Sequence, residues 1–114
     1  MRNLDDLTLK RNERAAIQEA TRILKERFPV RDVILFGSKV RGDSDTDSDI
    51  DLLVVAKTDL APRQRYCAVR RLIADVPASF DIIVKTPEEY NRWRSVVNHI
   101  VYFADKYGRI LYER

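Results

Sequence analysis

Short runs of Val, Ile, Leu and Phe constrain the fold of this chain most, because they alternate with stretches of helical periodicity. The runs predict strands at residues 30–36, 49–56, 80–84 and 110–112. Apolar residues at three- and four-residue steps predict helices over 9–28, 60–76 and 86–104. The last helix is expected to break near 95–98 and to stop before Gly108. This order predicts a two-layer α/β or α+β fold, a small mixed β-sheet with helices packed on one face.

Length and composition limit the class of protein. The 114 residues are 45% hydrophobic and 34% charged, which excludes a disordered or fibrous chain and predicts a single domain over residues 1–114. A net charge of +3 fits nucleotide or acidic-protein contact and does not favour direct nucleic-acid binding. One cysteine excludes an internal disulfide, and no apolar run is long enough for a membrane span, so we expect a cytoplasmic protein.

Two aspartates at the start of the second predicted strand carry the strongest chemical signal. Side chains alternate along a strand, so Asp49 and Asp51 lie on the same side, roughly 6.6 Å apart along the backbone. Two adjacent carboxylates repel each other, and a divalent cation reverses the sign of that interaction. Oxygen ligands suit Mg²⁺ or Mn²⁺, and Mg²⁺ completes its shell with water and substrate phosphates. The pair therefore predicts a metal-dependent nucleotide site.

A glycine-containing loop precedes this pair and is suited to phosphate. Glycine permits close approach of the backbone, and a serine hydroxyl and two cations can then contact the phosphate oxygens. We expect the loop to contain one helical turn. The predicted nucleotide-binding residues of the loop are Gly37, Ser38, Lys39, Arg41, Gly42 and Ser48.

A third carboxylate is available on the next strand. Asp81 interrupts the apolar run 80–84 on the face opposite Phe80, Ile82 and Val84. If the second and third strands are neighbours, Asp81 stands beside Asp49 and Asp51. The three aspartates are predicted to be catalytic and to bind two metal ions, which activate an attacking hydroxyl and stabilise the departing pyrophosphate.

The pattern Gly37-Ser38, ten residues, then Asp49-Ile50-Asp51, with Asp81 on a following strand, resembles the DNA polymerase beta type nucleotidyltransferase superfamily. It is most similar to the minimal nucleotidyltransferases, which are antitoxins of HEPN-domain toxins. The resemblance implies a polymerase-beta-like fold and Mg²⁺-dependent transfer of AMP from ATP to a hydroxyl. It also implies that Asp49 and Asp51 are metal ligands, that Asp81 is the third ligand and activates the acceptor, and that Gly37 and Ser38 contact the phosphates. In that branch the acceptor is a tyrosine of the partner toxin.

Other interpretations are compatible with the same sequence. The chain could neutralise a toxin by binding alone, with a vestigial nucleotide site, or it could modify a small molecule of the aminoglycoside type as a dimer. Homo- or hetero-oligomers are compatible with the sequence. The single histidine, His99, excludes a catalytic histidine pair and is expected to be structural. Four aromatic residues toward the end of the chain are expected in the core or at a subunit interface: Trp93, Tyr102, Phe103 and Tyr107.

Overall fold

The computed structural model describes residues 4, 7, 9–42 and 48–114. The elements in this part of the chain are α1 (Arg11–Arg27), β1 (Val30–Phe36), α2 (Ser38–Arg41), β2 (Ile50–Ala56), α3 (Pro62–Leu72), β3 (Phe80–Lys85), α4 (Pro87–Trp93), α5 (Ile100–Tyr107) and β4 (Arg109–Glu113). The four predicted strands are confirmed. The helical turn expected in the loop is α2, and the remainder of that loop, residues 43–47, lies outside the described residues.

The break between α4 and α5 is also confirmed, and local hydrogen bonds explain it. Asn98 has a positive φ of 73°, which no helix interior tolerates. His99 then caps α5, because its Nδ1 accepts a hydrogen bond from the backbone N–H of Val101 at 3.1 Å. The His99 ring stacks on Trp93 with centroids 4.5 Å apart. His99 therefore has the structural role that the sequence predicts.

The sheet is mixed, as predicted, with strand order β3-β2-β1-β4. Strand β1 is antiparallel to both β2 and β4, whereas β2 and β3 are parallel and are connected through α3. Consequently the carboxyl end of β1 lies beside the amino ends of β2 and β3. The residues that follow β1 and those that begin β2 and β3 meet at one end of the sheet.

Helices cover both faces of the sheet, and in this respect the expected single helical layer is corrected. One core cluster joins α1 and α3 to the face of Val33, Leu52 and Ile82. A second cluster joins α4 and α5 to the face of Ile34 and Leu53. The physical reason is the uninterrupted apolar run of β2, which exposes apolar side chains on both sides and needs a cover on each.

No helix in the described part of the chain combines the length and the apolar character that crossing a bilayer requires.

Candidate active site

The predicted carboxylates gather at the sheet end where β1, β2 and β3 meet. Asp51 of β2 is the register partner of Phe36 at the end of β1 and of Asp81 on β3. Asp51 and Leu53 are two residues apart on β2 and therefore project from the same face, which α4 and α5 cover. The Asp51 carboxylate lies at the edge of the second core cluster. Asp51 is half-buried, whereas Asp81 is exposed at the edge of the sheet.

Gly37 touches the Asp51 carboxylate directly. Its backbone has φ 78° and ψ −153°, a conformation that is essentially restricted to glycine. A Cβ atom added at this position would lie 2.1 Å from Oδ2 of Asp51, which no side chain can accommodate without movement. Glycine is therefore required here both for the turn and for the close approach of the loop to the carboxylate.

The three aspartates interact electrostatically. Burial, the charge of Asp81, a hydrogen bond to Asp81 and the charge of Asp49 together raise the pKa of Asp51 to about 6, against the opposing charge of Arg41. Like charges are thus held together at a site where water is partly excluded. Such an arrangement is unfavourable by itself and becomes favourable when a cation binds.

Asp49 is held by Ser79, a residue that no sequence motif indicates. The hydroxyl of Ser79 donates a hydrogen bond of 2.6 Å to Oδ1 of Asp49. The backbone N–H of Ile50 donates to the carbonyl of Ser79 at 2.9 Å, which fixes the two segments side by side. A serine before a strand is common and indicates no function by itself. Only the register of β2 against β3 shows that Ser79 lies beside Asp49.

The donor set fits a hard divalent cation, because Asp49, Asp51 and Asp81 offer only carboxylate oxygens. In the part of the chain that the structure describes, no three acidic, histidine or cysteine side chains lie close enough together to hold a metal ion. A cation bound to all three aspartates therefore requires their side chains to move. The crowding around Asp51 is the observation that favours metal here.

An open cleft of about 750 Å³ extends from the Gly37 loop. Its polar end is lined by Gly37, Ser38, Arg41 and Asp51. A cleft of this size accommodates a nucleotide-sized ligand. Four of the residues predicted from the sequence therefore surround one cavity, with Asp81 as the neighbour of Asp51 on the next strand.

Three other predicted loop residues do not line this cleft. Lys39 is 2% exposed and forms an ion pair with Glu13 of α1, so its ammonium group points into the protein. Burial alone would raise the pKa of Glu13, but the hydrogen bond and charge of Lys39 lower it below its ordinary value. Gly42 ends α2 in a left-handed conformation, and Ser48 lines a separate pocket of about 280 Å³.

The far wall of the cleft comes from α5 and was not predicted as part of the site. Ile100, Phe103 and Tyr107 line it together with Phe36 and Val40. Phe103 and Tyr107 are 43% and 59% exposed, so neither lies in the core of this chain. Their spacing of four residues was recognised as helical, but only the packing of α5 on β1 shows which side faces the loop.

Comparisons with known proteins agree with this geometry. A family model described as a nucleotidyltransferase domain matches residues 17–108. A predicted protein adenylyltransferase of Methanocaldococcus jannaschii is 32% identical over 103 residues, covering 89% of this chain and 99% of the relative. The protein adenylyltransferase MntA of Thermococcus cleftensis is 58% identical over 31 residues, 27% of this chain and 31% of the relative.

Solved structures have the same fold. A predicted nucleotidyltransferase from Sulfolobus solfataricus superposes with a TM-score of 0.66 at 26% identity, covering 90% of this chain and 84% of that chain. A toxin–antitoxin structure with AMP-PNP has a TM-score of 0.61 at 20% identity, covering 85% and 73% of the two chains. The MntA–HepT toxin–antitoxin structure has a TM-score of 0.57 at 19% identity, covering 89% and 73%.

Proposed function

Because this chain belongs to the nucleotidyltransferase domain family, we propose that it transfers AMP from ATP to a hydroxyl of a partner protein and thereby acts as an antitoxin. The observation that carries the proposal is the contact between Gly37 and Asp51, whose carboxylate is paired in register with Asp81. The loop that can approach a phosphate through Gly37 is thus in contact with the group of carboxylates around Asp51. Nucleotidyl transfer needs both features at the same place.

The reaction is a displacement at phosphorus. The acceptor oxygen forms a bond to the α-phosphorus of ATP while the bond from that phosphorus to the α,β-bridging oxygen breaks, and pyrophosphate leaves. The hydroxyl proton must go to a base. Asp81 is the base in this proposal, because it is exposed at the sheet edge while remaining next to Asp51.

The other residues bind and orient ATP. Gly37 allows the backbone to approach the phosphates, the Ser38 hydroxyl donates to a phosphate oxygen, and Arg41 offsets negative charge at the polar end of the cleft. Asp49, Asp51 and Asp81 would hold Mg²⁺, with Mn²⁺ as a substitute and two ions as the expected number. When bound, the metal would neutralise the charge that these carboxylates and the triphosphate bring together.

The partner is proposed to be a HEPN-domain toxin, with a tyrosine as the acceptor. Support comes from the two relatives that are named as protein adenylyltransferases and from structural neighbours that are toxin–antitoxin complexes. The described cleft is open to solvent, and Asp81 is exposed, so a hydroxyl presented by another protein can reach the site. A cytoplasmic location is part of this proposal, because ATP is the donor.

The test is to incubate the purified chain with a HEPN-domain toxin, ATP and Mg²⁺, and to measure the intact mass of the toxin. We expect a gain of one or more AMP units on a tyrosine, located by peptide mapping. Asp51→Asn should reduce the modification to the level seen without enzyme. The matched control is Asp75→Asn, which removes an exposed carboxylate outside the site and should modify the toxin like the wild type.

Two results would contradict the proposal. Equal modification by wild type and Asp51→Asn would remove the carboxylates from the mechanism. An unmodified toxin that is nevertheless inhibited by both proteins would favour neutralisation by binding alone.

A further inference from the structure

We infer that the α5 wall of the cleft, formed by Ile100, Phe103 and Tyr107, is the nucleobase subsite and that it accepts any purine. This inference rests on the proposed function, because the base belongs to the nucleotide whose phosphates lie at the Gly37 loop. It assigns a ligand group and a specificity to residues that carry no recognised motif.

The wall and the loop line the same cavity. Ser38, Arg41 and Asp51 are the polar part of its lining, whereas α5 contributes the apolar side chains of Ile100, Phe103 and Tyr107. A nucleotide has the same division, a charged phosphate tail at one end and a planar, largely apolar base at the other. Placing the phosphates at the loop therefore directs the base toward α5.

The wall is an apolar surface without a cover in the described chain. Ile100, Phe103 and Tyr107 are 44%, 43% and 59% exposed. They form one face of α5, while Val101 and Ala104 on the adjoining face are buried against the sheet. The rings of Phe103 and Tyr107 are themselves nearly parallel, with centroids 6.4 Å apart. An aromatic ligand placed here removes apolar surface from water and gains ring contacts.

The wall is also held in a fixed position relative to the loop, which suits a rigid ligand. Gly108 ends α5 so close to β1 that an added Cβ would lie 2.6 Å from Cγ2 of Ile34. The hydroxyl of Tyr90 on α4 donates to Asp105 and holds the helix from the other side. Gly37 follows the same strand that α5 packs on. Loop and wall are therefore both anchored to β1, and the subsite is preformed.

The expected specificity follows from the chemistry of the wall. Among the described residues that line it, the Tyr107 hydroxyl is the polar side-chain group, and no amide or carboxylate is available to read the edge of a base. Sites without such groups discriminate weakly between rings of similar size, whereas stacking tolerates every base. We expect ATP and GTP to bind with affinities within about threefold, and pyrimidine nucleotides to bind more weakly because they cover less of the wall.

The test compares ATP with inorganic tripolyphosphate, which keeps the phosphates and lacks the base. With Mg²⁺ present and binding measured by calorimetry, Phe103→Ala and Tyr107→Ala should weaken ATP binding at least about fivefold. The same variants should leave tripolyphosphate binding within about twofold of wild type. Tyr107→Phe keeps the ring and should bind ATP like the wild type. Tyr66→Ala is the matched control, because Tyr66 is also 43% exposed but lies on α3.

The outcomes separate this inference from the proposed function. If wild type binds tripolyphosphate and ATP but the alanine variants lose nothing, the wall serves another ligand, such as a protein partner, and the inference is wrong while the proposed function stands. If the variants lose both ligands equally, the wall only supports the fold. If wild type binds neither ligand, both proposals fail. Ile100→Ala keeps both rings and provides a second variant should Phe103→Ala unfold.

Discussion

Gly37 shows how one residue connects the backbone of the loop to the chemistry of the site. Gly37→Ala places a Cβ atom 2.1 Å from the Asp51 carboxylate and forces a backbone conformation that side chains avoid. We expect a loss of about 2 kcal/mol in the free energy of unfolding and a loss of about 100-fold in transfer rate, because the carboxylate must move. Urea unfolding and rate measurements check this.

Gly42→Ala is the matched comparison for the effect of Gly37→Ala on the free energy of unfolding. Gly42 also has a positive φ, of 80°, but an added Cβ meets nothing within 4 Å. This variant should lose only the backbone contribution of about 1 kcal/mol. If both variants were destabilised equally, the contact with Asp51 would have no energetic consequence.

Ser79 acts on the site through Asp49. Ser79→Ala removes the hydrogen bond that orients this carboxylate. Groups that orient metal ligands typically change metal affinity by about tenfold or more, so the Mg²⁺ concentration for half-maximal transfer should rise about tenfold. Ser79→Thr retains the hydroxyl and should restore the wild-type requirement. An unchanged Mg²⁺ requirement in Ser79→Ala would assign the bond to folding alone.

The sequence identified the aspartates of the site because their chemistry conflicts with their setting. Carboxylates at the start of apolar strands are costly, and such conflicts mark functional positions. Lys39 shows the limit of that reasoning. A lysine in a loop is ordinarily solvated, and its burial depends on Glu13, 26 positions earlier, being brought across by the packing of α1. Nothing local to Lys39 predicts this.

At the scale of elements, one ion pair joins the layers on the two faces of the sheet. Arg65 of α3 is 3% exposed, and its Nη2 lies 2.8 Å from Oε1 of Glu89 at the start of α4. Within the described residues Nε of Arg65 has no hydrogen-bond partner. The guanidinium is therefore a buried charge that depends on a single carboxylate.

Glu89→Gln should be more destabilising than Arg65→Met. The amide can still accept from the backbone N–H of Thr86 and keep the α4 cap, but it leaves the Arg65 charge buried without a counter-charge. We expect a loss of about 2 kcal/mol, of which Arg65→Met added to Glu89→Gln recovers at least about 1 kcal/mol. Urea unfolding of the four proteins gives the coupling energy. A double variant with a lower free energy of unfolding than either single variant would contradict this account.

The same pair predicts a pH dependence of stability. Burial alone would raise the pKa of Glu89, but the Thr86 N–H and the Arg65 guanidinium lower it below its ordinary value of 4.5. The stabilisation is therefore complete above the unfolded pKa and is lost as the pH falls through the folded pKa. The stability difference between wild type and Glu89→Gln should shrink between about pH 5 and about pH 3. A constant difference would exclude a role for the carboxylate charge.

The elements themselves were largely predictable, because the patterns that define them are local. The bounds of β1 at Val30 and Phe36 follow from a segment rich in Val, Ile and Leu between Pro29 and Gly37. The helices were expected on one face, although the apolar run of β2 already indicates that both faces need a cover. Which helices cover which face was not predictable, because the two core clusters join residues far apart in the chain.

On the scale of the whole molecule, the nucleotide cleft and the exposed carboxylate of Asp81 lie on different sides of Asp51. The cleft lies toward β1 and α5, whereas Asp81 lies on β3, the opposite edge strand. In the proposed function ATP therefore enters from the α5 side and the acceptor approaches from the β3 side. Both reach Asp51 on β2, an inner strand that lies between β3 and β1. The two core clusters hold these strands in place from both faces.

This arrangement predicts a conflict between stability and function at Asp51. Its carboxylate is half-buried beside Asp81 and Asp49, and its pKa is raised to about 6 by burial and by these charges. Asp51→Asn removes one of the repelling charges and preserves the shape that packs against Gly37. We expect the ligand-free variant to gain about 1–2 kcal/mol in the free energy of unfolding at neutral pH.

The same substitution should abolish the response to substrate. Binding of Mg²⁺ and ATP to the native state raises the unfolding temperature of wild type, whereas Asp51→Asn should show no such rise. Thermal unfolding with and without Mg²⁺-ATP measures both effects, and Asp75→Asn, whose carboxylate is exposed elsewhere, should behave like wild type. A ligand-free Asp51→Asn protein less stable than wild type would mean that the carboxylate supports the fold. We expect Asp51→Asn to be more stable than wild type without ligand and to gain no stability from Mg²⁺-ATP. Both results together are expected only if bound Mg²⁺-ATP relieves the repulsion between the carboxylates of the wild type.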